Sequence, residues 1–227
     1  DVRTNSLQSH VQVMIIVAAS SPQELQASKN LFVGWEPVVT GVGKVQASIA
    51  VTKAINHFHP DYVIGIGTCK ALDESYAIGD IVIAKTVVQY DIDLRRFNLA
   101  RTEVFNSLGK KVGALESPCS ILDIGRIAPL RAAIHQQAVI GTADRFLVSS
   151  DIDSLPFLIE ELHINAVDME SYAIAAAAHE FGLPWAVVRC ISDDARGRRP
   201  KSYTTFLQSA SRDMLLVAQA LVSQQTK

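Results

Sequence analysis

Short apolar, β-branched runs alternate along this chain with stretches whose apolar positions recur every three or four residues. Residues 11–19 form the first such run and predict a buried strand. Residues 22–30 follow as a predicted helix, opened by Pro22 in its first turn. Residues 36–40 look extended, and 44–58 carry apolar side chains at helical spacing. Residues 62–66 are a second buried strand, punctuated by Gly65 and Gly67. Residues 81–89 are a third, entered from the Gly79-Asp80 turn. Residues 138–141 and 164–167 are short extended pieces. Residues 170–181 form an Ala-rich helix closed by Gly182 and Pro184. Residues 185–191 are a strand, and 203–224 a long last helix.

Alternation of strands and helices predicts an α/β fold. It should be a single three-layer domain, residues 1–227, with a mostly parallel central sheet flanked by helices. In such sheets ligands sit at the carboxyl ends of the strands. Residues 94–117 break the alternation: the stretch is long, polar and weakly periodic. A loop of that length is expected to cap a site or form an interface.

Composition narrows the class. The chain has 227 residues, of which 48% are hydrophobic, and a net charge of −2. That suits one full α/β core and supplies no basic field to recruit nucleic acid. No apolar run approaches the ~20 residues of a membrane span. Residues 1–10 are polar, lack the order of a secretory signal and read as a flexible extension. The three cysteines, Cys69, Cys119 and Cys190, include no CxxC pair, so a disulfide framework or zinc site is not expected. A reducing cytoplasm fits. The histidines show no metal-ligand spacing, and neither metal nor organic cofactor is expected.

Two glycine turns invite a dinucleotide reading, Gly41-Val42-Gly43 and Gly65-Ile66-Gly67. Each lacks the third glycine, with Gln46 and Lys70 in its place. The carboxylates say more. Glu24, Glu170 and Asp193 each follow the end of an apolar run. Singly, each would pass for a helix cap or first-turn residue. Three converging on one edge would suit acid–base chemistry. Phe146-Leu147, after 141–145, offers a flat face for a base. The basic run 196–201 reads as a solvated loop that could meet an anionic tail.

At these residues the sequence resembles the 5'-methylthioadenosine/S-adenosylhomocysteine nucleosidase family of the nucleoside phosphorylase superfamily. The resemblance runs from about Val13 into the last helix. Residues 40–45 resemble the family's first glycine turn. Gly67-Thr68-Cys69, with Gly79-Asp80-Ile81-Val82, resembles its ribose-side loop and next strand. Ala166-Val167-Asp168-Met169-Glu170 resembles V-[DE]-M-E, and residues 187–193 resemble V-R-x-I-S-D, with Arg189 as its arginine. The resemblance implies that Asp193 protonates purine N7 and that Glu24 positions the attacking water. Glu170 would hold the ribose hydroxyls, and Met169 would line the sugar. Phe146 would stack on the base, and the Leu147 main chain would bond its edge. Thr68 and Arg189 would complete the substrate site. A small-molecule nucleoside is the implied ligand, and a homodimer the implied assembly, packed through residues 90–115.

The sequence departs from the family in three places. Lys70-Ala71 stands where small residues, commonly glycines, are usual. The acidic run before the water-positioning glutamate is reduced to Pro22-Gln23. The segment between Leu115 and Val139 is short. Phosphorolysis would need arginines near the end of the first strand and before the second glycine turn. Residues 19–22 and 64–68 offer none, so water is the expected nucleophile. A futalosine-type hydrolase, using Arg95, Arg96 or the 196–201 loop for a carboxylate tail, is the alternative enzyme. A non-catalytic relative that binds or stores nucleoside is the alternative of another class, opposed by the intact carboxylate trio.

Overall fold

Five apolar residues, Ile15–Ala19, form β1, and their side chains alternate between two cores. Ile16 and Ala18 join one apolar cluster; Ile15, Val17 and Ala19 join the other. That period of two, with both faces buried, marks a central strand. The computed structural model describes residues 13–27, 34–127, 130 and 132–225. The extension predicted over 1–10 lies outside them.

After β1 come β2 (Trp35–Val39), α1 (Lys44–Phe58), β3 (Tyr62–Ala71) and β4 (Ile81–Gln89). The short strands β5 (Val104–Phe105), β6 (Lys111–Val112) and β7 (Leu115–Glu116) follow, then β8 (Ile134–Thr142). Two single-turn helices, α2 (Ser149–Ile152) and α3 (Phe157–Glu160), precede β9 (Ala166–Asp168). The chain continues through α4 (Ser171–Glu180), β10 (Trp185–Asp193) and α5 (Tyr203–Gln225). Helices α1 and α4 pack into the first cluster and α5 into the second, so the three layers stand.

The sheet is mixed, which corrects the mostly parallel expectation. β1 pairs β2 and β3 in parallel, β3 pairs β10 in parallel, and β8 is parallel to both β4 and β9. But β4 runs antiparallel to β10 and to β7, and β9 antiparallel to β3. A parallel neighbour needs a crossover of a dozen or more residues. Residues 72–80 are too few for one, so the chain turns back into an antiparallel β4. Long β3 carries β1 along its first half and β9 at its tail. The strands β3, β10, β4, β8 and β9 thereby close on one another as a partial barrel.

The helix expected over 22–30 is also corrected. Residues 22–27 are turns, and 28–30 lie outside the described residues. The polar groups a helix would have used are diverted to α5: Ser211 Oγ donates to the Glu24 carbonyl at 2.6 Å, and the Ala27 N–H donates back to Ser211 Oγ at 3.3 Å. The stretch 94–117 is not structureless. It holds a 3-10 turn at Arg95–Phe97, the β5–β6 hairpin, and β7 on the edge of β4.

Candidate active site

Four buried carboxylates border one cavity, Asp168 and the three singled out in the sequence. Glu24, Glu170 and Asp193 expose 4%, 6% and 8% of their surface, and all three line a space of about 210 Å³. Glu24 and Asp193 come from the carboxyl ends of the parallel strands β1 and β10. Glu170 arrives differently: it follows β9, which meets the tail of β3 antiparallel. Convergence therefore depends on the barrel closure rather than on a single sheet edge.

Each carboxylate is held by its own set of donors. Glu24 Oε2 accepts from Ser20 Oγ at 2.6 Å and the Ser21 N–H at 3.2 Å; Oε1 accepts from the Thr68 N–H at 3.0 Å. Glu170 Oε1 accepts from the Gly43 N–H at 2.9 Å, at the glycine turn that opens α1. Burial raises the Glu170 pKa to about 7; the nearby Arg189 cation and the Gly43 bond work against that rise, and Asp168 and Glu24 add to it. Asp193 ends β10 just past a register shift opposite β3. Such a bulge re-aims the side chain beyond it. Asp193 Oδ2 accepts from Ser192 Oγ at 2.7 Å, and Oδ1 accepts from Arg199 Nε.

The other residues singled out in the sequence fall into two groups. Thr68, Phe146, Leu147 and Met169 line the cavity with the carboxylates. Phe146 is 62% exposed, an uncovered ring at the mouth. Arg189 does not line the cavity. It lies buried behind it, donating to Asp168 at 2.7 Å, to Ser171 Oγ at 2.9 Å and to the Ile66 carbonyl at 3.0 Å. Its Nη2 has no hydrogen-bond partner among the described residues. Asp168, in turn, accepts from Thr142 Oγ1 and from the Ser171 N–H, which ties β8, β9, α4 and β10 together. The two acids of the Asp168-Met169-Glu170 motif both border the cavity, but only Asp168 pairs with the buried arginine, while Glu170 takes the Gly43 N–H.

Sequence reasoning missed three contributors. Tyr203 hydroxyl meets Thr68 Oγ1 at 3.0 Å and lines two recesses that continue the cavity. Ser20 and Ser21 clamp Glu24; they were read only as positions lacking arginine. Arg199 clasps Asp193, whereas the basic run was read as solvated. Lys70 does reach the cavity wall, where Nζ donates to Ser149 Oγ at 2.9 Å and to the Asp194 carbonyl at 3.0 Å. Burial lowers its pKa, against the pull of Asp193 and Asp194. Arg95 and Arg96 line a separate hollow with Asp93, and Arg95 is engaged by that aspartate.

A closed set of mixed strands, with carboxylates and one exposed aromatic ring around a common cavity, defines an α/β pocket protein suited to acid–base work on a flat ligand. The chain belongs to the phosphorylase superfamily, whose family model matches residues 34–223, and within it to the 5'-methylthioadenosine/S-adenosylhomocysteine nucleosidase family. A nucleosidase of that name from Marinomonas sp. (strain MWYL1) is 32% identical over 187 residues, covering 81% of this chain and 78% of the relative. One from Staphylococcus aureus (strain JH9) is 32% identical over 194 residues, covering 83% and 82%. The fold is shared with the Neisseria meningitidis nucleosidase solved with methylthio-immucillin-A (TM-score 0.74, 23% identity, 93% of this chain and 99% of that one). It is shared too with a Helicobacter pylori futalosine hydrolase mutant (TM-score 0.75, 21% identity, 93% and 99%).

Proposed function

We propose that the protein is a purine nucleoside N-ribohydrolase that releases adenine from 5'-methylthioadenosine or S-adenosylhomocysteine, with water as nucleophile. The observation that carries this reading is the meeting of Glu24, Glu170 and Asp193 on one cavity beside Phe146 and Met169. Relatives named for this activity support it.

The chemistry needs an acid on one side of the glycosidic bond and a water-holding base on the other, as in inverting sugar hydrolysis. The base stacks on Phe146, with its edge against the main chain of Leu147 and its N7 at Asp193. Proton transfer to N7 lets the purine leave neutral. Positive charge then develops on the ribose, next to Glu170, which also takes the sugar hydroxyls. Met169 packs against the sugar. Glu24, fixed by Ser20, Ser21 and Thr68, aligns the water and takes its proton. Arg189 serves from behind: its charge stabilises the carboxylates, and Gly67 separates its Nη1 from Glu24. The reaction so written uses no cofactor.

Assembly as a homodimer belongs to the same reading, as does residence in a reducing cytoplasm, which suits three free thiols. Adenine release from 5'-methylthioadenosine, measured with and without phosphate, tests the hydrolase. The expected result is equal rates and a free 5'-substituted ribose. Asp193→Asn in the same assay should lose about 100- to 10,000-fold in turnover, the range general acid catalysis contributes. A ribose 1-phosphate product would replace hydrolysis with phosphorolysis.

A further inference from the structure

Hydrolysis of an adenine nucleoside accounts for the carboxylates but not for the two cations at Asp193. Arg199 Nε donates to Asp193 Oδ1, the oxygen that Ser192 leaves free. The Lys70 ammonium lines the same cavity and has spent two of its three protons on Ser149 and the Asp194 carbonyl. With N7 at Asp193, position 6 of the purine lies on the same edge of the base. A 6-amino group presents N–H there; a 6-oxo group presents lone pairs. Guanidinium and ammonium groups only donate. The surroundings of Asp193 therefore favour an acceptor at position 6.

The guanidinium also lies over the ring meant for the base, with Cζ 5.2 Å from the Phe146 centroid. Both residues line the recess that adjoins the cavity, and a purine stacking on that face of Phe146 must displace Arg199. The loop that carries it stays put, because Asp194 Oδ1 accepts from the Arg196 N–H at 3.1 Å and the Arg198 N–H at 2.8 Å, and the Gly197 N–H bonds the Asp194 carbonyl at 2.9 Å. The Arg199 side chain itself is 56% exposed, so its own torsions suffice to move it. Turning off Phe146 while remaining near Asp193 brings it to the base edge that carries N7 and position 6. Leaving Asp193 forfeits an ion pair. A 6-oxo base returns a charge-assisted hydrogen bond and a 6-amino base does not.

We propose that this chain has a second activity, the hydrolysis of 6-oxopurine ribosides, and that Arg199 admits them by donating to O6. The proposal rests on the reading of the site as an N-ribohydrolase with Asp193 at N7. Once Arg199 moves to O6, Asp193 Oδ1 is free to carry the proton. The C1'–N9 bond breaks with its electron pair going to the base, and the Asp193 proton goes to N7. The water oxygen bonds C1', and the water proton goes to Glu24. Proton return from Glu24 to Asp193 through solvent resets the site, so the balance is nucleoside plus water to 6-oxopurine plus ribose.

The test uses two matched pairs, 5'-methylthioinosine against 5'-methylthioadenosine and inosine against adenosine, with the freed base measured by chromatography. The native protein should cleave the 6-oxo members. Arg199→Met should lower the 6-oxo to 6-amino ratio of kcat/KM by about tenfold to hundredfold, what one hydrogen bond from a charged donor supplies. Arg199→Lys, which keeps a donor, should restore part of the ratio. Cleavage of the 6-amino members alone would overturn this inference and leave the hydrolase reading standing. Cleavage of neither would overturn both. An unchanged ratio in Arg199→Met would remove Arg199 from base selection.

Discussion

At the scale of single residues, the site depends on carboxylates taken out of water by the packing around them. Glu170 shows the consequence for stability. In the folded chain it keeps its proton up to about pH 7, against an ordinary value of 4.5. Between those two values the native state binds more protons than the unfolded state, so stability falls as pH rises. Below pH 4.5 both states are protonated and the contribution is fully present; through pH 7 it is lost. Glu170→Gln removes the titration. The melting temperature of Glu170→Gln relative to the native protein should therefore be flat below pH 4.5, climb between 4.5 and 7, and level off above. Parallel melting curves from pH 4 to 8 would mean that burial does not hold the Glu170 proton. Asp168 matters through its partner. Its pairing with fully buried Arg189 is of the kind whose one-sided removal costs about 3–5 kcal/mol, because a lone charge remains in the interior.

At the scale of elements, β3 positions the most. Its ten residues carry β1 and β9 along one edge and β10 along the other. Where the partners change, its backbone passes between Arg189 and Glu24. That passage is why residue 67 is glycine. It has φ of 149°, and a Cβ there would stand 2.2 Å from Arg189 Nη1 and 3.0 Å from Glu24 Oε1. Gly67→Ala must displace a buried guanidinium or bend the strand, so we expect a loss of about 3 kcal/mol or more in stability. Gly65→Ala, two residues earlier, meets side-chain carbons of Ile174 at 3.2 and 3.4 Å and of Val187 at 3.5 Å, which can give way. Denaturant titration of the two variants should rank Gly67→Ala clearly worse, with any folded fraction also losing activity through Glu24. Equal midpoints would show that β3 has slack at the site. The legibility of elements follows the same logic. Residues 44–58 were readable to the residue because one helix face is buried against a single layer, and 81–89 because the run is buried on both faces and follows the Gly79-Asp80 turn. Residues 22–27 were not, since Ser211 on α5 takes hydrogen bonds that a local helix would have used.

At the scale of the whole molecule, an apolar surface remains uncovered. Phe97, Phe105 and Leu108 are 71%, 54% and 72% exposed, and Val42, Val45 and Ile49 form a further exposed row along the start of α1. Val42 also lines the cavity, so the row on α1 reaches the site. Isolated exposed apolar side chains are ordinary; grouped ones mark an interaction site. The homodimer proposed above would cover it, two-fold dimers being the commonest closed assembly. Replacing Phe105 or Phe97 by Asp should weaken association and raise KM together, because one surface would serve both. Sedimentation at micromolar concentration is the measurement, and a clean monomer with full activity would end the idea.

The sequence by itself determined the α/β class and the edges of most long elements, and it singled out Glu24, Glu170 and Asp193, which the fold brings to one cavity. Those follow from local periodicity and from motifs whose spacing survives in one dimension. Only the tertiary structure decided that β4 and β9 run antiparallel, because strand direction depends on what a connection can span and on which edge is free. It decided that Arg189 stands behind the cavity rather than in it, since a buried cation goes where Asp168 can meet it. It also placed Arg199 on Asp193 and Lys70 beside it. A basic loop and a lone lysine carry no signal of their targets in sequence; their partners are fixed only when β3 and β10 lie side by side.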